Sequence, residues 1–169
     1  MADYREPYIC VKFKVGFLFS GYKIRLGFGL HVGWAIEGAI GSSHKVDPSY
    51  LSPHVNMASR LEAATKQYGV VILLSETVVS HLTKSSLCDN CRRLDRITVK
   101  GSVEPMILYT YDLPMFQQDL VGSYMEYKNN FEEAVFNYID GNWHEALEKL
   151  HWCQHLWPTD KPVHVLVNF

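Results

Sequence analysis

An α+β domain followed by a helical hairpin is what this 169-residue sequence predicts, and three observations carry that reading. The stretch "SPHVNMASRLEAATKQYG" has helical spacing and clear ends, and the apolar run "VVILL" follows it at once. The later stretch "RRLDRITVKGSVEPMILYTYDL" holds two β-prone runs around a turn-forming segment. Beyond residue 114 the β-prone runs cease, and two helical stretches are broken at Asp140-Gly141-Asn142.

Residues 1–22 are rich in aromatic and β-prone types, and "YICVKFKVGFLF" alternates weakly, which predicts a strand of undetermined pairing. Residues 23–114 form the α+β segment. "KIRLGFGLHVGWAIEGAIG" begins as a strand and becomes punctuated by glycine at 27, 29, 33, 38 and 41, a pattern of bulges or close backbone approach. Ser52 supplies a helix N-cap, and Pro53 suits the first helical position, where a missing N–H leaves nothing unpaired. Gly69 ends that helix. Residues 70–74 read as a buried strand, and Ser75 as the cap of a second helix running to about residue 83. The two runs that follow predict a hairpin whose loop lies near residues 100–105. In residues 115–169, Tyr138, Gly141, Ala146 and Pro158 are spaced as in one tetratricopeptide-type hairpin. A single such unit cannot bury its own apolar face, so it is expected to pack on the preceding domain or within a longer helical tail.

Composition narrows the function. A hydrophobic fraction of 47% with 20% charged residues belongs to a globular chain rather than a disordered one. A formal net charge of −2 makes nucleic acid a poor default partner. No apolar run has the length of a membrane span, and the interrupted N-terminal apolar pieces do not read as a signal peptide. Cys88 and Cys91 form a CxxC without a second pair, which reads as reduced thiols rather than a zinc site. His151 and His155 share a helical spacing that arises easily among eight histidines.

Within the first helix, Met57, Leu61, Ala64 and Tyr68 mark an apolar stripe expected to face a core. Asn56 and Arg60, one turn apart, project together beside it. Such a pair is either solvated or aimed at an anion, since a guanidinium offers a permanently charged, rigid donor fork to phosphoryl oxygens.

Three blocks decide between these. "IRLGFGLHVGWAIEGAIGS", "VNMASRLEAAT" and "ITVKGSVEPMILYTYDL" match, in order and spacing, the catalytic domain of class III nucleotide cyclases, the adenylyl and guanylyl cyclases, which the chain resembles over roughly residues 23–113. The resemblance implies a ferredoxin-like sandwich working as a head-to-tail dimer, with two composite sites at the interface. It implies attack of the ribose 3′-hydroxyl of ATP or GTP on the α-phosphate with loss of pyrophosphate, in intracellular signalling. Arg60 would stabilise the transferring phosphoryl group, Asn56 would orient the ribose, and Lys100 would hold the triphosphate. Relatives that use ATP carry an aspartate seven residues before the asparagine, and guanylyl cyclases tend to a cysteine. Ser49 stands there in this chain, with Asp47 two residues away as a substitute on the same strand face. This leans weakly to ATP.

The family's Mg²⁺ or Mn²⁺ ions are held by two aspartates from a first strand and a following hairpin. Only Asp3 and Glu6 are acidic before Lys23, in no comparable setting. The expected fold is therefore a partial cyclase sandwich lacking its first strand and helix, with no metal ligands, and no turnover by the chain alone. Three readings remain: a truncated piece of a cyclase, a half that complements an aspartate-bearing protomer, or a catalytically dead regulatory module whose helical tail binds a protein. The resemblance implies a cytosolic domain, in relatives often joined to membrane segments or sensors. An incomplete sheet would leave an edge and an apolar face open, unless "YICVKFKV" restores an edge strand and the C-terminal helices cover the face.

Overall fold

Glycine alternation, a capped helix and a strand pair dictate the first half of the molecule, and a helical tail completes it. The structure is a computed structural model and describes residues 8–12, 26–82, 85–99 and 104–168. In chain order the elements are β1 (Tyr8–Lys12), β2 (Phe28–Gly33), β3 (Ile36–Gly41), β4 (Val46–Leu51), α1 (Pro53–Tyr68), β5 (Ile72–Ser75) and α2 (Glu76–Ser80). They continue with α3 (Ser85–Cys88), β6 (Cys91–Ile97), β7 (Met106–Tyr111), a 3-10 turn (Pro114–Asp119), α4 (Tyr124–Asp140), α5 (Trp143–Leu156) and α6 (Lys161–Val167). Five strands form one sheet in the order β1-β2-β5-β7-β6, while β3 and β4 form a separate two-stranded hairpin. Among the described strands only the β2–β5 pair is parallel, as a strand–helix–strand crossover through α1 requires.

β1 answers the open question of the N-terminal run. It pairs antiparallel with β2, from Tyr8 opposite Gly33 to Lys12 opposite Gly29, and takes the sheet edge that would otherwise be bare. The predicted hairpin is β6–β7, with a register shift between Arg93 and Asp95. At that irregularity the Arg93 backbone N–H on the outer edge donates to Glu132 Oε1 of α4 at 2.9 Å, so the tail satisfies one donor of that edge.

The ends of α1 are those its sequence dictates. Ser52 Oγ accepts from the His54 N–H at 3.0 Å, Pro53 opens the helix, and Gly69 closes it in the left-handed region at φ 69°. Ser75 stands at the N-cap position of α2, but its hydroxyl is engaged by His31 and Thr77 and makes no cap bond. The described helix ends at Ser80, and Thr83 lies outside the described residues.

The buried face of α1 differs from the stripe expected of it. Ala58, Leu61, Glu62, Thr65 and Tyr68 are buried, whereas Met57 and Ala64 are only partly so. The reason lies in β2, whose odd-numbered positions face the helix. A Cβ at Gly29 would lie 2.3 Å from both the Ala58 carbonyl oxygen and the Glu62 nitrogen, and one at Gly33 would meet the His54 ring. The missing side chains let α1 lie directly on the strand and rotate Ala58, Glu62 and Thr65 inward.

One core joins the sheet to the tail. Leu61 and Tyr68 of α1, Leu73, Leu94 and Leu108 of the sheet, and Tyr127, Phe131, Val135, Leu150 and Val163 of the tail belong to a single buried cluster. The opposite face of the sheet carries a smaller cluster around Leu74, Val78 and Cys91. The break at 140–142 is observed, with Gly141 at φ 85° between α4 and α5. The further helix α6 was not legible in the sequence. Of the tail helices, α4 packs on β6 of the sheet, while α5 packs on α4 and α6 on α5 and α1.

Candidate nucleotide site

Helix α1 presents two faces with different tasks. Ala58, Leu61, Glu62, Thr65 and Tyr68 are turned to the sheet, and at 100° per residue Asn56 and Arg60 fall on the opposite side. Asn56 is exposed and Arg60 half-buried. They are therefore not beside the buried stripe but across the helix from it. Asn56 has only its backbone committed, donating to the Ser52 carbonyl at 3.3 Å in the first turn. Arg60 makes no hydrogen bond or ion pair with any described residue, so its donor fork is not consumed within the described part of the domain.

The N-terminus of α1 is held by a polar cluster that sequence reasoning missed. His31 of β2 is 5% exposed, and its Nε2 lies 2.9 Å from Nδ1 of His54 in the first turn of α1. Its Nδ1 lies 2.8 Å from Ser75 Oγ at the end of β5, which in turn lies 2.7 Å from Thr77 Oγ1. The imidazoles stack with centroids 5.1 Å apart, and Trp34 meets His54 edge-on at 5.8 Å. Burial, then the neighbouring imidazole, lowers the His31 pKa below its ordinary value. Only one of the two facing ring nitrogens can carry a proton. The available signal was parity: His31 shares the helix-facing register of Gly29 and Gly33.

Ser49 and Asp47 lie on β4, where alternation puts them on one face of the strand. Ser49 stands opposite Gly38, and a Cβ on that glycine would meet nothing within 4 Å, so the space across from Ser49 is open. Asp47 is exposed and paired with Lys45 at 2.8 Å. The hairpin bears exposed apolar side chains at Ile40, Val46, Tyr50 and Leu51, close in sequence to exposed Trp34. Lys100 lies outside the described residues.

Among the described residues no group of three or more His, Cys, Asp or Glu side chains is arranged to hold a metal ion. The candidate site residues that fall on described positions are those of α1 and the β3–β4 hairpin. Cys88, Cys91 and Cys153 are free thiols, and burial raises the Cys91 pKa to about 11.

The adenylate and guanylate cyclase catalytic domain family matches residues 11–113, more than half of the chain. The chain therefore belongs to that family, and the match starts upstream of the three recognisable blocks. It is 36% identical over 88 residues to an adenylate cyclase of Anabaena cylindrica, covering 52% of this chain and 17% of that protein. It is 28% identical over 153 residues to the terminal-differentiation-specific adenylate cyclase of Dictyostelium discoideum, covering 90% of this chain and 7% of that protein. Among solved structures, a bacterial light-regulated adenylyl cyclase superposes with a TM-score of 0.44 at 32% identity, covering 52% of this chain and 23% of that one. The chain spans less than a fifth of the length of these two curated relatives.

Proposed function

We propose that this chain supplies the nucleotide-facing half of a cyclase site, forming a 3′,5′-cyclic nucleotide and pyrophosphate when a second protomer completes it. The observation that carries this is the placement of Asn56 and Arg60 on the side of α1 turned away from its own sheet, where they can serve a ligand shared with a partner. In this role Arg60 stabilises charge on the transferring phosphoryl oxygens, Asn56 orients the ribose so that its 3′-oxygen faces the α-phosphorus, and Lys100 holds the triphosphate. Ser49, with Asp47 on the same strand face, meets the base. The adenylate cyclases among the relatives support ATP over GTP. Exposed apolar side chains on both faces of the β3–β4 hairpin, Val46 and Tyr50 on one and Ile40 and Leu51 on the other, support a head-to-tail dimer, because apolar surface is costly to leave in water. Mg²⁺ or Mn²⁺ ligands are expected from the partner.

Mixing tests this. The purified chain with ATP and Mn²⁺ should show no turnover. Adding a cyclase protomer that keeps its metal aspartates but lacks its own asparagine–arginine pair should restore cyclic AMP formation. Turnover by the chain alone at the level of an intact cyclase would remove the claim of dependence. Silence of the mixture with both ATP and GTP would favour a regulatory module, a reading supported by exposed Phe136, Trp143 and Leu147 on the tail.

A further inference from the structure

Arg92 of β6 is completely buried, yet it is a cation. Its Nε donates to Asp112 Oδ2 at 2.6 Å and its Nη2 to Asp112 Oδ1 at 3.3 Å, just beyond β7. Its Nη1 donates to Asp160 Oδ2 at 2.8 Å and its Nη2 to Asp160 Oδ1 at 3.0 Å, at the N-cap of α6. Tyr124 and Tyr127 of α4 donate to the same two carboxylates, at 3.0 Å to Asp112 and 2.7 Å to Asp160. Phe131, Tyr127 and Trp157 surround the guanidinium at 4.3, 5.4 and 5.7 Å. One cation thus fastens a sheet strand, the end of its neighbour and three elements of the tail.

From this fastening a second path leads to the nucleotide helix. Asp160 opens α6, and α6 packs on α1. Val163 and Leu166 share a buried cluster with Leu61 and Tyr68, and the Lys161 stem lies over Gly69, where a Cβ would come within 2.4 Å of its Cδ. Tyr68 also donates to Asp95 Oδ2 at 2.6 Å, tying the C-terminal end of α1 to β6 itself. Arg92 and Asp95 are on one strand, so both routes end on the same element.

We propose that the C-terminal helices are a positioning device for α1: the Arg92–Asp160 clamp seats α6, and α6 buttresses the helix that carries Asn56 and Arg60. Opening the clamp then loosens α1 from its C-terminal end, so whatever binds or displaces the tail regulates the nucleotide site without touching it. The functional consequence rests on the reading of α1 as the nucleotide helix. The mechanical coupling does not.

Hydrogen exchange on the full chain separates the two. Asp160→Asn removes a charge from the clamp but keeps its shape. Exchange in α6 and in the last two turns of α1 should then rise together by about tenfold or more, with β5 and β7 still protected. Val163→Ala, which thins α6 against the core and leaves the clamp intact, should move the same two segments, and it decides the matter if Asp160→Asn unfolds the chain. Faster exchange of α6 with α1 unchanged would overturn the proposal. So would loosening of α1 only in step with the whole sheet. A parallel run with a non-cyclisable α,β-methylene ATP and Mn²⁺ in the mixed dimer tests the nucleotide reading. Coupled exchange without nucleotide protection of α1 would leave the coupling standing and remove the nucleotide role.

Discussion

Arg92 and Asp160 are 68 residues apart in sequence and joined by a 2.8 Å ion pair with no exposure on the arginine. Burying a guanidinium is unfavourable unless every donor finds an acceptor. Here burial opposes the charge, but the two carboxylates hold the arginine pKa well above its usual value. Replacing Arg92 by Met leaves two carboxylates without their cation. That change should destabilise the chain by about 3–5 kcal/mol in urea unfolding. Arg92→Lys should fall well short of rescue, because an ammonium cannot present the double fork that both aspartates use.

Gly29 and Gly38 make a controlled pair. A methyl at Gly29 meets backbone atoms of α1, which cannot step aside as a side-chain tip would, and one at Gly38 meets open space. Gly29→Ala should cost about 1–3 kcal/mol or more of stability. Gly38→Ala should stay within about 0.5 kcal/mol of the parent. Equal midpoints for the two variants would contradict the close seating of α1 on β2.

His31 sets a pH dependence with a definite sign. Its folded-state pKa is lowered, so the unfolded chain binds the proton more readily. The stability that the neutral ring supports is full above its ordinary pKa of 6.5 and declines as pH falls from there towards the lower folded value. His31→Asn should flatten this part of the stability–pH curve relative to the parent. An unchanged slope would show that the His31–His54 contact is not where the proton is excluded.

Arg60 separates function from stability. It is half-buried, and no described residue depends on it for a hydrogen bond or an ion pair, so Arg60→Ala should change stability by no more than about 0.5 kcal/mol. In the mixed dimer the same change should lower cyclic nucleotide formation by about 100- to 1,000-fold. A large loss of stability with unaltered turnover would reverse the assignment.

Local chemistry made much of this molecule readable in advance. Ser52, Pro53 and Gly69 bound α1 by rules that act within one turn, and the break at Gly141 obeys the same kind of rule. Features that depend on distant partners were not readable. In "CRRLDR" nothing distinguishes buried Arg92 from partly exposed Arg93, because the aspartates that hold Arg92 lie 20 and 68 residues away. The turn of α1 towards Ala58 and Glu62 depends on glycines in another strand. Their odd-number register with His31 was visible, but it took the helix lying across them to give it meaning. The Asn56 and Arg60 side chains were legible only as a motif, since they make no side-chain contact that folding requires among the described residues.

The continuity of the core across residue 113 bears on how this protein can be dissected. Trimming the chain to the stretch that family likeness covers would remove Asp160 and both tyrosines that donate to the clamp, and would wet Leu94 and Leu108. The family model and the buried core therefore draw different borders here. The stretch matched by the family model and the stretch that shares the buried core are not the same length, and recombination that respects the first border would break the second.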